Sequence, residues 1–409
     1  MTLREIIGRI RGKAKAYEIK ILKRRSKKYG FILEKPKPLA VSEMAIENYF
    51  KTCHKKEALL SYVIYPFLGP VENHHSNNQE CFAIAEILNS LGYNVDVINW
   101  DNITFLPTKK YDLVIDNHNN LVRLADYFTG TTKKIFHATN AHWLYQNSVE
   151  YNIHYNYFLN RGIAVTPSRQ ITPSNSVENC DAITMFGNEF TAETYGKFRS
   201  KVYHIPMSVT TRPGIVTDRN ISVAKRKFLW LNSHGALLKG MATVIDAFAA
   251  TPELDLFICS NLANDGRLQE VVEMEISTNQ NIKIIGWVDL EGDIFKQLVK
   301  ECAWVINTSF SEGGGGSTLN CMAKGLIPLI SKSASISLPD KTGFYINDND
   351  ANTLISVLKK VCLLPDDELM ERSVNASNFV SENHTLEHFM KRYEKFLVDI
   401  LAVSQPRLQ

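Results

Sequence analysis

The sequence lacks long apolar stretches and the features of an exported protein. No run of about 18 apolar residues occurs among its 409 residues, so no transmembrane helix is expected. The N-terminus has no apolar core followed by a small-residue cleavage site, so no signal peptide is expected. With 44% hydrophobic and 22% charged residues, the composition is that of a globular protein. The length predicts two domains, and the absences predict a cytoplasmic location.

Cysteine pairs and metal-ligand clusters are also lacking. Seven cysteines are scattered along the chain, and none forms a C-x-x-C pair. This distribution argues against a disulfide framework or a zinc site and favours reduced thiols. His384 and His388 are four residues apart without a third ligand, and the acids at 348–350 are expected to be solvated. The sequence therefore predicts no metal.

The positive charge is concentrated at the N-terminus. The chain has a net charge of +3, but residues 1–30 hold eleven Lys or Arg against two Glu, whereas 35 basic and 41 acidic residues follow. Apolar residues at 3, 6, 7, 10, 19 and 22 have helical spacing within this arm. Such an arm favours peripheral contact with an anionic membrane surface. A solvated extension, or a helix that docks on its own protein, is the alternative. No aromatic platform accompanies the charge, so nucleic acid is not expected as a partner.

Apolar runs alternate with helical patterns over most of the chain, which predicts parallel sheets covered on both faces. A polar stretch after 212 separates two such series, so two doubly wound Rossmann-like domains are expected, with ligand in the crevice between them. A helix near 42–53 and a strand at 162–167 are among the predicted elements. The predicted parts are a basic extension (1–56), a first domain (57–212) joined by a C-terminal helix (385–402), and a second domain (213–384).

The strongest local signal lies between 308 and 325. A predicted strand leads into Glu312, four consecutive glycines, and a helix that we expect Ser317 to cap. Glycines allow the backbone to approach a ligand closely, and free N–H groups at a helix N-terminus attract phosphate. Glu312 could accept hydrogen bonds from hydroxyl groups beyond the phosphates. The combination predicts a sugar diphosphate, with a flexible glycine-rich surface loop as the alternative.

This segment resembles the C-terminal signature of family 4 glycosyltransferases, which are retaining enzymes with the two-domain GT-B fold. The family pattern has a Glu, seven residues, a second Glu and a helix, and residues 321–330 follow that helix closely. Glu312 matches the first carboxylate, which implies contact with donor-sugar hydroxyls. Asn320 occupies the second position, and the resemblance implies that it binds the ribose as a neutral group.

The resemblance extends to residues 230–248, which are similar to the segment with a basic pair for the diphosphate. Lys239 matches the lysine of that pair, whereas His234 stands where an arginine is usual. Either neutral His234 or the backbone amides around Gly235 would then replace the arginine. The resemblance also places residues 283–289 near the nucleotide base. The expected diphosphate contacts are Lys239, His234, Gly235, Gly314, Gly315, Gly316, Ser317 and Thr318.

In the first predicted domain, the candidates lie in loops that follow strands. His74, His75 and Asn77 occupy the loop after the first long strand and are expected on the acceptor side. Residues 136–143 resemble the family stretch whose histidine lies near the reacting sugar, which implies a catalytic role for His142 beside Glu312. His118, after another strand, is a further cleft candidate.

We predict a retaining hexosyltransferase that transfers sugar from a UDP- or GDP-sugar to a hydroxyl of a glycan or lipid-linked glycan in polysaccharide biosynthesis. No cofactor is expected to be required. A non-catalytic sugar-nucleotide-binding protein and a sugar-nucleotide 2-epimerase of the same fold are the alternatives. A dinucleotide-dependent dehydrogenase is less favoured because its glycine motif should follow an early strand, whereas this glycine run is late in the chain.

Overall fold

The structure is a computed structural model, and it describes residues 40–70, 75–265 and 267–402. The basic arm at 1–30 and His74 lie outside the described residues. The following concerns the second of two compact units, which begins at Val41. Among the described residues, no helix has both the length and the apolar character that crossing a bilayer requires. All seven cysteines are free thiols.

Two sheets organise the chain. The seven-stranded sheet has the order β1-β3-β2-β4-β5-β6-β7, with only the short edge strand β1 antiparallel among its described strands. Its strands are β1 Ala45–Ile46, β2 Lys56–Tyr62, β3 Tyr93–Asn99, β4 Leu113–Asp116, β5 Lys133–Ala138, β6 Ala182–Met185 and β7 Val202–His204. We call the part of the chain built on this sheet the first half.

The second half is built on a six-stranded parallel sheet with the order β10-β9-β8-β11-β12-β13. Its strands are β8 Lys227–Leu231, β9 Asp255–Cys259, β10 Ile282–Ile284, β11 Trp304–Asn307, β12 Ile327–Ser331 and β13 Phe344–Ile346. Most of these strands are buried along their length, as expected for a sheet with helices on both faces. Two doubly wound parallel sheets confirm the predicted α/β class.

Thirteen α-helices occur in the described part of the chain. In the first half they are α1 Ser76–Ser90, α2 Asn120–Arg123, α3 Trp143–Arg161, α4 Ser176–Asn179 and α5 Glu189–Glu193. In the second half they are α6 Ile221–Ala224, α7 Met241–Ala249, α8 Leu268–Ile276, α9 Asp293–Glu301, α10 Gly316–Ala323, α11 Ala351–Val361 and α12 Asp366–Asn383. The last helix, α13 Leu386–Ala402, packs Phe389, Tyr393, Phe396 and Leu397 into the apolar core of the first half.

Two predicted elements were wrong. Residues 41–52 form a short 3-10 turn and strand β1 instead of a helix, because Asn48 adopts a positive φ and its amide donates to Asp96. Residues 162–167 lie in an irregular loop instead of a strand. The backbone of that loop binds side chains of α3: the carbonyl of Val165 is 2.8 Å from His154 Nδ1, and the amide of Ser168 donates to Glu150.

Helix α3 and the loop after it connect the two halves; we call residues 143–171 the bridging segment. Tyr157 and Val165 belong to the same buried apolar cluster as Met241 of α7. Arg161 forms ion pairs with Asp246 and with Glu275, the latter at 2.8 Å. The chain also crosses between the halves near Val209, whose amide donates to the carbonyl of His384 at 2.8 Å. The relative position of the two sheets is therefore held at several places.

Buried Arg219 fixes the C-terminal end of α10. Its guanidinium donates to the carbonyls of Val299, Lys324 and Gly325 and to the hydroxyl of Ser373, over distances of 2.8–3.1 Å. We expect Arg219→Met to lower the free energy of unfolding by roughly 3–5 kcal/mol, because several buried acceptors lose their donor. Denaturant unfolding measures this change.

The matched control is Arg199→Met, since Arg199 is half-exposed and pairs only with exposed Glu189 among the described carboxylates. This control should change the free energy of unfolding by no more than about 0.5 kcal/mol. Equal effects of the two substitutions would contradict the assigned role of Arg219.

Candidate functional site

A cavity of about 810 Å³ lies where the carboxyl ends of strands from both sheets face each other. The second half contributes residues after β8, β9 and β11, together with the glycine loop at 313–316. The first half contributes the N-terminus of α1 and the loop after β5. The lining comprises His75–Asn77, Thr139, Asn140, Arg169, Met207, Thr210, Leu231–His234, Lys239, Cys259–Asn261, Trp287–Glu291, Asn307, Glu312–Ser317 and Asn320.

A buried ion pair lies in the wall of this cavity. Lys239 Nζ is 2.5 Å from Glu312 Oε1, and the two side chains are only 3% and 14% exposed. Lys239 also donates to the carbonyl of Ser311, and the hydroxyl of Ser309 donates to Glu312. Desolvation lowers the pKa of Lys239 to about 8, although the charge of Glu312 raises it and that of Arg169 lowers it further. The structure thus brings together the two charged residues that the sequence predicted for the donor site.

The glycine loop is packed tightly against the first half. A Cβ on Gly313 would lie 1.7 Å from the carbonyl oxygen of Thr139, so no other residue fits at this position. Gly315 has a φ of +65° and is the N-cap of α10, which corrects the expectation that Ser317 caps this helix. Among the described side chains, none caps α10. Its first N–H groups, in residues that line the cavity, therefore remain available to an anion.

Asn320 lines the cavity, but its side-chain amide forms hydrogen bonds with other residues of the protein. Its Oδ1 accepts from the amides of Thr210 and Thr211, at 3.1 and 2.9 Å, and from the hydroxyl of Thr211 at 2.9 Å. Its Nδ2 donates to the carbonyl of Gly316 at 2.8 Å. An amide has two N–H donors, so one of them remains for a ligand hydroxyl. The residue therefore joins α10 to the connection between the halves.

Two of the predicted diphosphate contacts lie outside the cavity lining. Thr318 is fully buried, and its hydroxyl accepts from Asn307 at 2.9 Å. The amide of Gly235 donates to Asp265 at 2.8 Å, and the amide of Ala236 donates to the same carboxylate at 3.0 Å. Because Asp265 occupies this pair of N–H groups, they cannot replace the missing arginine as predicted.

His234 lies in the cavity wall, where it contacts Arg169. The distance between His234 Nε2 and Arg169 Nη1 is 3.3 Å. Desolvation lowers the pKa of His234 from its usual value, and the charges of Arg169 and Lys239 lower it further, whereas the charge of Asp265 raises it. The imidazole is therefore neutral at pH 7 and can accept a hydrogen bond from the guanidinium.

The histidines predicted for the acceptor side are divided between two cavities. His75 and Asn77 line the large cavity, and His75 Nδ1 accepts from the amide of Asn77 as the N-cap of α1. His142 and His118 instead line a separate cavity of about 40 Å³. His142 caps α3 by accepting from the amide of Leu144 at 3.3 Å. Thr139 and Asn140 line both cavities, whereas His142 lines only the smaller of the two.

Several lining residues were not predicted. Arg169 comes from the loop of the bridging segment, and Trp287, 65% exposed, comes from the loop after β10. Trp287 falls within the segment that the resemblance places near the nucleotide base, although its side chain was not singled out there. Arg169 follows a Thr-Pro-Ser sequence without a recognisable motif, so nothing in the local sequence marks it.

The residues considered for a metal have local structural partners. Asp350 caps α11 by accepting from Thr353, and His384 Nδ1 is 2.9 Å from the carbonyl of Met207. His388 Nδ1 is 2.8 Å from the hydroxyl of Thr385. In the part of the chain that the structure describes, no group of three or more His, Cys, Asp or Glu could hold a metal ion.

Comparison with known proteins identifies the fold. No family model matches the sequence, and no curated protein matches it significantly. Solved structures match over most of their length. A glycosyltransferase from Rickettsia africae is 12% identical with a TM-score of 0.56, and sucrose-phosphate synthase from Thermosynechococcus elongatus is 15% identical with a TM-score of 0.59. Each match covers 85% of this chain and 99% of the other.

HepE from Anabaena, solved in complex with UDP and glucose, is 12% identical with a TM-score of 0.54. That match covers 84% of this chain and all of HepE. At such low identities the likeness concerns the arrangement of helices and strands and not the chemistry of the site. The two parallel sheets and the cavity between their carboxyl ends therefore establish that this chain has the GT-B fold.

Proposed function

We propose that this protein is a glycosyltransferase of the family 4 type, which transfers a hexose from a nucleoside diphosphate to a hydroxyl with retention. The observation that carries the proposal is the buried pair of Lys239 and Glu312 beside an uncapped helix N-terminus and a glycine loop. This arrangement places a cation and free N–H groups beside a carboxylate. A sugar diphosphate needs the first two for its phosphates and the third for its hydroxyls.

Donor binding would separate Lys239 from Glu312 and give each of them a partner on the donor. A diphosphate beside α10 would become the counter-ion of Lys239 and release Glu312 to accept hydrogen bonds from the sugar. Charge that develops on the departing diphosphate would then be stabilised by Lys239 and by the amides that begin α10. The departing phosphate would assist removal of the acceptor proton. The acceptor would enter past His75 and Asn77 on the opposite side of the cavity.

The donor is proposed to be a UDP- or GDP-sugar. HepE was solved with UDP and glucose, which supports a uridine nucleotide by analogy of fold alone. In this chain Trp287, in the wall of the same cavity, offers a large apolar surface on which a base could stack. The free N–H of Asn320 can bind a ribose hydroxyl, but more weakly than a carboxylate would. We retain His142 as a candidate that acts from the neighbouring small cavity.

Glu312→Gln tests the proposed contact with the donor sugar. We expect the rate of nucleoside diphosphate release from the donor to fall roughly 100-fold, because the sugar loses its orienting carboxylate. Affinity for the nucleoside diphosphate alone should not fall, since removing a negative charge favours the phosphates. The measurement uses a panel of UDP- and GDP-sugars, with glycans or water as acceptors and with product analysis.

Glu291→Gln is the matched control, because Glu291 lines the same cavity but is exposed. Unchanged turnover of Glu312→Gln at saturating donor would contradict the proposal. An epimerised donor in the absence of acceptor would identify a 2-epimerase instead. Tight donor binding without turnover for any acceptor would identify a binding protein.

The lowered pKa of Lys239 predicts a pH dependence of donor binding. Only the protonated amine attracts the diphosphate, so affinity should be constant below the pKa of about 8 and should fall above it. The fall should approach about tenfold per pH unit if a single proton is involved. Calorimetric titration with the nucleoside diphosphate between pH 7 and 9.5 measures it. Lys239→Arg should remove the dependence, since guanidinium stays protonated in this range. A wild-type affinity that is constant up to pH 9.5 would exclude Lys239 as the ligand.

A further inference from the structure

The donor site that we propose needs a second cation. His234 and the amides around Gly235, which were expected to take its place, do not provide positive charge. A diphosphate carries more negative charge than Lys239 alone can balance. His234 is neutral at pH 7, as its lowered pKa implies. The amides of Gly235 and Ala236 are occupied by Asp265. A different group must therefore supply the missing positive charge.

Arg169 is placed to supply this charge. It lines the same cavity as Lys239 and the glycine loop, and its guanidinium is 3.3 Å from His234 Nε2. Its aliphatic stem lies against Gly235, where an added Cβ would be 2.0 Å from Arg169 Cγ. His234 and Gly235 thus position this side chain. Gly235 leaves space for the methylene groups of Arg169, and the neutral imidazole of His234 accepts a hydrogen bond from the guanidinium.

The backbone of Arg169 is firmly anchored. Its amide donates to Glu150 Oε1 at 2.6 Å, and its carbonyl accepts from Gln146 Nε2 at 2.6 Å. The hydroxyl of the preceding Ser168 donates to Asp265 Oδ1 at 2.7 Å. Asp265 therefore connects the loop that carries Arg169 to the loop that carries His234. The fixed backbone, together with the side-chain contacts to Gly235 and His234, reduces the conformational freedom that Arg169 would lose on binding a ligand.

The charge of Arg169 is not neutralised locally. Among the described residues, no carboxylate lies within ion-pair distance of its guanidinium, whereas the other cation of the cavity, Lys239, is paired with Glu312. A planar guanidinium without a counter-ion suits bidentate binding of a phosphate.

We propose that Arg169 is the second diphosphate-binding cation of the donor site and that His234 positions it. This inference rests on the proposed function and names a ligand-binding residue for the same site. The bridging segment brings this cation from the first half of the chain to the strand ends of the second half. The donor site is then complete only while the bridging segment lies against the second half.

The test compares Arg169→Met with Arg169→Lys. Methionine retains the unbranched stem over Gly235 but removes the charge, so thermal stability should stay close to that of the wild type. We expect affinity for UDP or GDP, whichever the wild type binds, to fall roughly 10- to 100-fold in Arg169→Met and less in Arg169→Lys. Affinity for the matching nucleoside, measured by the same calorimetric titration, should change less than twofold.

Arg212→Met is the control, because Arg212 is exposed and lies outside the cavity lining. His234→Ala should weaken diphosphate binding less than Arg169→Met does, since it only releases the guanidinium. Diphosphate affinity that is unchanged in Arg169→Met would overturn the inference, as would equal losses for diphosphate and nucleoside. If the wild type binds no nucleoside diphosphate at all, the proposed function fails first, which distinguishes the two failures.

Discussion

The ion pair between Lys239 and Glu312 is the interaction on which the site depends. Two charges taken out of water are favourable only if each keeps strong partners, and here the partners are each other, a carbonyl and a hydroxyl. The interaction between the two side chains of such a pair changes when a further charged group comes close to them. An anion that entered the cavity would compete with Glu312 for the charge of Lys239.

The geometry around this pair is fixed by contacts between the halves. Gly313 lies against the carbonyl of Thr139, and Asn320 ties α10 to the connection between the sheets. Arg161 of the bridging segment forms ion pairs with residues of α7 and α8, and Arg169 of the same segment lines the cavity. The glycine run is thus required for packing between the halves, independently of any ligand. The domain boundaries predicted from sequence remain a prediction, because α3 contributes to both halves.

Glu312 could be predicted because it follows a strand and directly precedes the glycine run, and Lys239 could be predicted because residues 230–248 resemble the family segment with a basic pair. Arg169 could not, since the backbone of its loop is held by Glu150, Gln146 and Asp265, which are distant in sequence. The strand predicted at 162–167 failed for the same reason: side chains of α3 satisfy that backbone instead of a neighbouring strand. The helix expected near residue 48 likewise failed because the amide of Asn48 donates to Asp96, which is distant in sequence.

A thermal-shift comparison of nucleoside diphosphates with their nucleosides tests the central claim most directly. The account predicts that one diphosphate, at a concentration well above its dissociation constant, raises the unfolding midpoint by roughly 2–5 °C. The matching nucleoside should give a much smaller rise, because it reaches neither Lys239 nor the start of α10. If no diphosphate shifts the midpoint, or if the nucleoside shifts it equally, the cavity is not a diphosphate site and the account is wrong.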